Sequence, residues 1–186
     1  MKKYERELRE RYKAREDIFH GKIVHLVRDT VTLPNGKSAT REMMLHNGAV
    51  AILPLFEDGT VLMEYQFRYP LDRVIYEIPA GKLDTKDEDP REAALRELRE
   101  ETGYTARSLT SLGFYIPSPA VLSERIELFL AEDLTPGEVD LDEDEFLYTE
   151  RVPLKELCDM VMRGEIEDGK TQTALLKTLL LKKESL

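Results

Sequence analysis

The stretch Gly81–Tyr104 reads GKLDTKDEDPREAALRELREETGY. Its second half spells a helix with both ends marked. Asp89 stands at the N-cap, Pro90 takes the first helical position, where a missing N–H costs nothing, and Glu92 completes a capping-box pattern with Asp89. Gly103 follows the last helical residues, where a left-handed C-terminal conformation suits glycine. At about 100° per residue, Ala94, Leu95, Leu98 and Thr102 align as an apolar stripe. Glu97, Glu100 and Glu101 cluster beside it, because residues three and four apart share a face.

Like charges at that spacing repel by roughly 0.2–0.5 kcal/mol per pair in an isolated helix, so the cluster needs compensation. Two readings follow from helix physics. Arg96 can offset Glu100 across one turn, giving a solvated, salt-bridged face. Alternatively the grouped carboxylates hold a divalent cation, because hard oxygen ligands suit Mg²⁺ or Mn²⁺.

The order of residues resembles the Nudix box. Glu88 is followed by seven residues, Asp89 to Leu95, and then by Arg96-Glu97-Leu98-Arg99-Glu100-Glu101-Thr102-Gly103-Tyr104. That second part matches the family pattern at every defined position. The loop before it is one residue longer than the pattern, so either Glu88 or Asp87 takes the place of the first box glutamate. The resemblance implies an α/β fold, the Nudix α/β/α sandwich with a mixed sheet, here with an N-terminal β-hairpin extension.

Composition bounds the rest. The 186 residues suit one domain with a small appendage, and 41% hydrophobic content supports a real core. A net charge of −10 argues against a nucleic-acid surface, which needs a basic patch. The lone Cys158 excludes an intramolecular disulfide, sits in an apolar helical pattern and fits a reducing cytosol. No apolar leader or membrane-length run is present in the sequence, so a cytoplasmic protein is expected.

Along the chain, residues 2–17 are nearly all charged or polar and read as an exposed helix or arm. A hairpin is expected from Lys22–Val31 and Ser38–His46 around Pro34-Asn35-Gly36. Residues 1–46 thus form an N-terminal arm with antiparallel strands, expected to serve dimerisation, ahead of a Nudix domain at 47–186. Strands are expected at 49–56, 61–68, 73–79, 109–116 and 125–131, with a short one ending at Val152. Helices follow at 153–163 and 170–183. In the strand at 61–68, alternation puts Glu64, Gln66 and Arg68 on one face.

Carried over residue by residue, the resemblance implies that Glu97, Glu100 and Glu101, with the backbone carbonyl of Ala80, hold Mg²⁺ (or Mn²⁺), and that Arg96 orients the carboxylates. Arg68, in Glu64-Tyr65-Gln66-Phe67-Arg68, resembles an arginine of ADP-ribose pyrophosphatases, and a guanidinium can clamp a diphosphate in a bidentate manner. Arg41 is a second candidate of that kind, and Glu77, in Tyr76-Glu77-Ile78-Pro79, matches a substrate-contacting segment. The general base is expected from the acidic run Asp142-Glu143-Asp144-Glu145, with Glu145 preferred over Glu143 and Glu124 as the rival. Pro119 lies close to where the ADP-ribose pyrophosphatase subfamily carries a distinguishing proline, and Phe19 can stack on adenine. The subfamily implies a homodimer hydrolysing ADP-ribose to AMP and ribose 5-phosphate. Two alternatives stand beside it: hydrolysis of GDP-mannose or UDP-sugars, and a non-catalytic domain that senses ADP-ribose.

Overall fold

The computed structural model describes residues 2–141, 143 and 145–184. The chain divides into two compact units, Met1–His46 with Ser118–Glu124, and Asn47–Pro117 with Arg125–Leu186.

In the first unit a short helix, α1 (Lys3–Leu8), precedes a three-stranded antiparallel sheet of β1 (Arg11–His20), β2 (His25–Thr32) and β3 (Ser38–Leu45), in that order. The expected hairpin is β2–β3. The polar stretch expected as a helix or arm divides: its first part is the exposed helix α1, and its residues from Arg11 onward belong to the strand β1. Its backbone pairs with β2, and Arg15 donates from Nε to Asp29 Oδ1 at 2.7 Å while Arg28 reaches Glu16 at 3.3 Å. Cross-strand ion pairs and ladder hydrogen bonds here override the helical reading of a charged run. The segment Ser118–Glu124 joins the end of β3: Met44 N–H donates to the Val121 carbonyl at 2.8 Å, and Ser123 N–H to that of Met44 at 3.0 Å.

The second unit is built on the sheet β7-β4-β9-β8, comprising β4 (Ala49–Pro54), β7 (Ala80–Lys82), β8 (Tyr104–Tyr115) and β9 (Ile126–Pro136). β4 and β9 are parallel and the other pairings antiparallel, so the sheet is mixed. A smaller antiparallel sheet, β10-β5-β6, contains β5 (Thr60–Arg68), β6 (Arg73–Glu77) and β10 (Leu147–Pro153). Every residue of β4 is buried. Alternate side chains therefore feed opposite cores. Val50 and Ile52 pack with Ala93, Ala94 and Leu98 of α2 (Pro90–Thr102), whereas Ala51 and Leu53 join Leu157 of α3 (Leu154–Arg163) and Leu175 of α4 (Gly169–Glu184). Helices on both faces of a mixed sheet make the expected α/β/α sandwich.

α2 carries the marked ends. Asp89 accepts the Arg91 N–H at 2.8 Å, and Gly103 ends the helix at φ 74° with its N–H on the Arg99 carbonyl. Glu92 makes no return bond among the described residues, so the cap is one-sided. The buried face also differs from the expected stripe. It is centred on Ala94, Leu98 and Glu101, with Ala93 and Thr102 at its edges, and leaves Leu95 37% exposed about a quarter turn away.

Candidate active site

α2 presents its carboxylates to the short strand β7. Gly81 lies directly under Glu97, so that a Cβ at position 81 would overlap the Glu97 carboxylate. Glycine here lets the carboxylate close onto the strand; a Cβ would make it swing aside. One turn on, Glu101 is 3% exposed and accepts the Ala80 N–H at 3.0 Å. The Ala80 N–H thus already binds the cluster, beside the carbonyl that the family resemblance implies as a ligand.

Arg96 ties the cluster together. It donates to Glu97 Oε1 at 2.7 Å, to Glu100 Oε2 at 3.1 Å and to Glu88 Oε1 at 3.3 Å. Burial works against its charge, but Glu97 and Glu100 outweigh that and raise its pKa. Glu88 also accepts the Asp84 N–H at 2.6 Å while Asp87 is exposed, so the longer loop still delivers Glu88 to the arginine.

Arg68 and Lys170 also bear on the cluster, but burial and the mutual repulsion of its carboxylates outweigh them at Glu64. Burial, and then the charges of Glu64, Glu145 and Glu97, push the Glu101 carboxyl up to about 10. Burial and then Glu77 push Glu64 up to about 8. Burial raises Glu97 too, against the pull of Arg96. Glu64 is wholly buried, and neither of its oxygens has a hydrogen-bond partner among the described residues. Sequence reading put Glu64 on the right strand face without giving it a role; its burial in a carboxylate cluster is a tertiary fact.

No three His, Cys, Asp or Glu side chains stand together in metal-holding geometry among the described residues. Arg96 draws the oxygens of Glu97 and Glu100 toward itself instead. The donor chemistry nevertheless fits a hard divalent cation: oxygen ligands only, mutually repelling, with an orphaned buried carboxylate beside them.

The other candidates are distributed as follows. Arg68, at the end of β5, donates from Nε to Glu77 Oε1 at 2.7 Å, so these two are brought together. Gln66 donates from Nε2 to Glu145 Oε1 at 3.0 Å, and Glu145 is close enough for its charge to act on Glu64, Glu97 and Glu101. Glu143 is exposed, and Asp142 and Asp144 lie outside the described residues. Phe19, Arg41, Pro119 and Glu124 belong to the first unit. There Phe19 is 58% exposed, Arg41 is engaged by Glu10 at 3.0 Å, Pro119 is exposed in a turn and Glu124 faces His46 at 3.5 Å. A cleft lined by Phe56, Asp58, Arg107, Asp133 and Arg151 contains none of the candidates, and its arginines are paired with its aspartates.

A carboxylate-rich helix and an arginine clamped at a strand end are thus mounted on an α/β/α sandwich. The NUDIX domain model matches residues 45–174, and the chain belongs to the Nudix hydrolase family. It is 46% identical to an ADP-ribose pyrophosphatase of Bacillus subtilis (strain 168), over 90% of this chain and 91% of that protein. It is 43% identical to a methanol dehydrogenase activator of Bacillus methanolicus, over 86% and 87% of the two chains. A crystal structure of an ADP compounds hydrolase superposes with a TM-score of 0.84 at 25% identity, covering 95% of each chain. Hydrolases of this family generally use a divalent metal ion.

Proposed function

We propose that this chain hydrolyses ADP-ribose to AMP and ribose 5-phosphate in a Mg²⁺-dependent reaction, with Mn²⁺ as a possible substitute. The observation that carries the choice of substrate is the 46% identity, over nearly the whole chain, to an ADP-ribose pyrophosphatase. The arginine and carboxylate arrangement supports the diphosphate chemistry.

In this reading Glu97, Glu100 and Glu101, with the backbone carbonyl of Ala80, would hold the metal, and Arg96 keeps the carboxylate oxygens oriented until it binds. When bound, the ion polarises the diphosphate and offsets the charge that develops on its oxygens. Arg68 binds the diphosphate through the part of its guanidinium that Glu77 leaves free. Glu145 accepts a proton from water as that water attacks phosphorus; the P–O bond to the bridging oxygen breaks, and the leaving phosphate takes the electron pair. Gln66 holds Glu145 on the β5 side before substrate arrives. Glu64, a buried carboxyl held protonated by burial and by Glu77, would add negative charge to the cluster only on giving up its proton when a cation binds.

We further infer a cytoplasmic homodimer acting on a small nucleotide sugar, formed through the arm at 1–46 that precedes the catalytic domain at 47–186. No described helix is long and apolar enough to cross a membrane. The dimer reading is supported by β1, which is exposed along its whole length and leaves Phe19 and Tyr12 uncovered within its unit. In the dimer, Phe19, Arg41 and the loop carrying Pro119 and Glu124 contribute substrate contacts. Sedimentation at the 21.5 kDa monomer mass would remove the dimer reading.

Product analysis after incubating the purified chain with ADP-ribose, with and without Mg²⁺, tests the main proposal. Metal-dependent release of AMP and ribose 5-phosphate is expected. Binding without release would point to an ADP-ribose sensor, and neither would point to GDP-mannose or UDP-sugars.

A further inference from the structure

Glu77 is 2% exposed and lies at the end of β6, where its Cα pairs in register with that of Glu64 on β5. It meets two cations at once. Arg68 donates to Oε1 at 2.7 Å, and Lys170 makes a close ion pair with Oε2. Lys170 is itself 6% exposed, and its Nζ also reaches Asp168 at 3.1 Å.

The first turn of α4 is built around this contact. Asp168 accepts the Thr171 N–H at 2.9 Å, which caps the helix, and Thr171 Oγ1 accepts the Ile78 N–H at 3.0 Å. The start of α4 is therefore fastened to Glu77 through Lys170 and to the next residue through Thr171. A lysine with its long flexible stem is rarely buried unless paired, because ordering and desolvating it are both costly. Its burial here against an acid that already has an arginine needs an explanation.

The explanation lies in what Glu77 does to Arg68. Its carboxylate takes the guanidinium Nε, and the two Nη groups have no hydrogen-bond partner among the described residues. That is the half of the fork able to clamp two oxygens of a diphosphate. Orientation of the fork depends on one carboxylate, and the other oxygen of that carboxylate is held by Lys170.

We propose that Lys170 is a positioning residue: acting through Glu77, it sets the orientation of the Arg68 guanidinium for the substrate diphosphate. The inference rests on the ADP-ribose reading for its kinetic consequence, while its structural content stands on the Lys170–Glu77–Arg68 chain alone.

Two measurements test it separately. In ¹⁵N-labelled protein, the Arg68 Nε–H resonance, assigned by its loss in Arg68→Lys, is expected to be shifted downfield and protected from exchange. Lys170→Met should return it toward the free-arginine position, and Lys170→Arg should restore it. An unchanged signal in folded Lys170→Met overturns the proposal whatever the substrate is. If Lys170→Met does not fold, Lys170→Gln, shorter and uncharged, takes its place with the same expectation.

In kinetics with ADP-ribose and Mg²⁺, Lys170→Met should raise KM about tenfold with less than a threefold change in kcat, the pattern for lost substrate binding. In an Arg68→Ala background the same substitution should add less than twofold, because the partner through which it acts is gone. A full tenfold effect in that background overturns the proposal. If the wild-type chain releases no AMP, the substrate reading falls, and the resonance still decides the role of Lys170.

Discussion

The Glu97 carboxylate lies against the Cα of Gly81, in the space a Cβ would fill. This contact couples the start of the box to its helix. Gly81→Ala must displace either the β7 backbone, which pairs with β4, or the side chain expected to hold the metal. The carboxylate, as the flexible end of its side chain, can swing aside at a small cost in stability, but a misplacement near 1 Å can cost about 10²-fold in rate. We expect Gly81→Ala to remain folded with a lowered Tm and to lose about 10²-fold in kcat. Wild-type turnover at saturating Mg²⁺ would show that Glu97 need not sit where it does.

Glu101 and Glu64 make the metal-free protein sensitive to alkali. Both have folded-state pKa values raised above the ordinary carboxylate range, so their protonated forms are favoured by folding. The stability they contribute is fully present below the unfolded value near 4.5 and is lost as pH rises toward about 8 for Glu64 and about 10 for Glu101. The slope is at most about 1.4 kcal/mol per pH unit for each group. In EDTA, Tm should fall between pH 6 and pH 9; Mg²⁺ should reverse the fall, and Glu101→Gln should flatten it. The same variant should abolish most turnover. A Tm insensitive to both pH and Mg²⁺ would contradict a cluster of buried, mutually repelling carboxylates.

Glu145→Gln should lower kcat by about 10²-fold or more while leaving KM near its wild-type value, as expected for a base acting on the chemical step. Gln66→Leu, which releases Glu145 from its 3.0 Å contact, should give a smaller loss in the same parameter. A normal rate in Glu145→Gln would transfer the role to Glu143 or Glu124.

Arg68→Lys keeps the charge but loses the fork that allows one nitrogen to hold Glu77 while two others bind oxygens. We expect KM for ADP-ribose to rise about tenfold, equivalent to about 1.4 kcal/mol of binding. Unaltered KM would place the diphosphate elsewhere.

The helix α2 was legible because all its determinants are local. Asp89, Pro90 and Gly103 act within a turn of the residues they cap, and a 3.6-residue period groups Glu97, Glu100 and Glu101 without reference to the rest of the chain. The strands of the second unit were legible as short runs bounded by turns, except β7, whose three residues carry no alternation; their ends moved with the pairing, and β8 begins at Tyr104 because β9 offers a partner that far. Leu95 was misread because periodicity gives the width of an apolar face and only the neighbouring strands choose its centre. The strand β1 was missed for a related reason: a run of charged residues has no apolar alternation, and its pairing with β2 and Asp29 appears only once the chain has turned back on itself.

By itself, then, the sequence determined the box helix and the residue types crowded on it, set by capping and helical period. Tertiary structure alone decided that Glu64 is buried without a partner, that Gln66 meets Glu145, and that Lys170 reaches Glu77 across 93 residues. The reason is physical. Capping and periodicity act over a few residues, whereas burial and Coulomb interactions depend on which distant side chains the packed sheet and helices bring within a few ångströms.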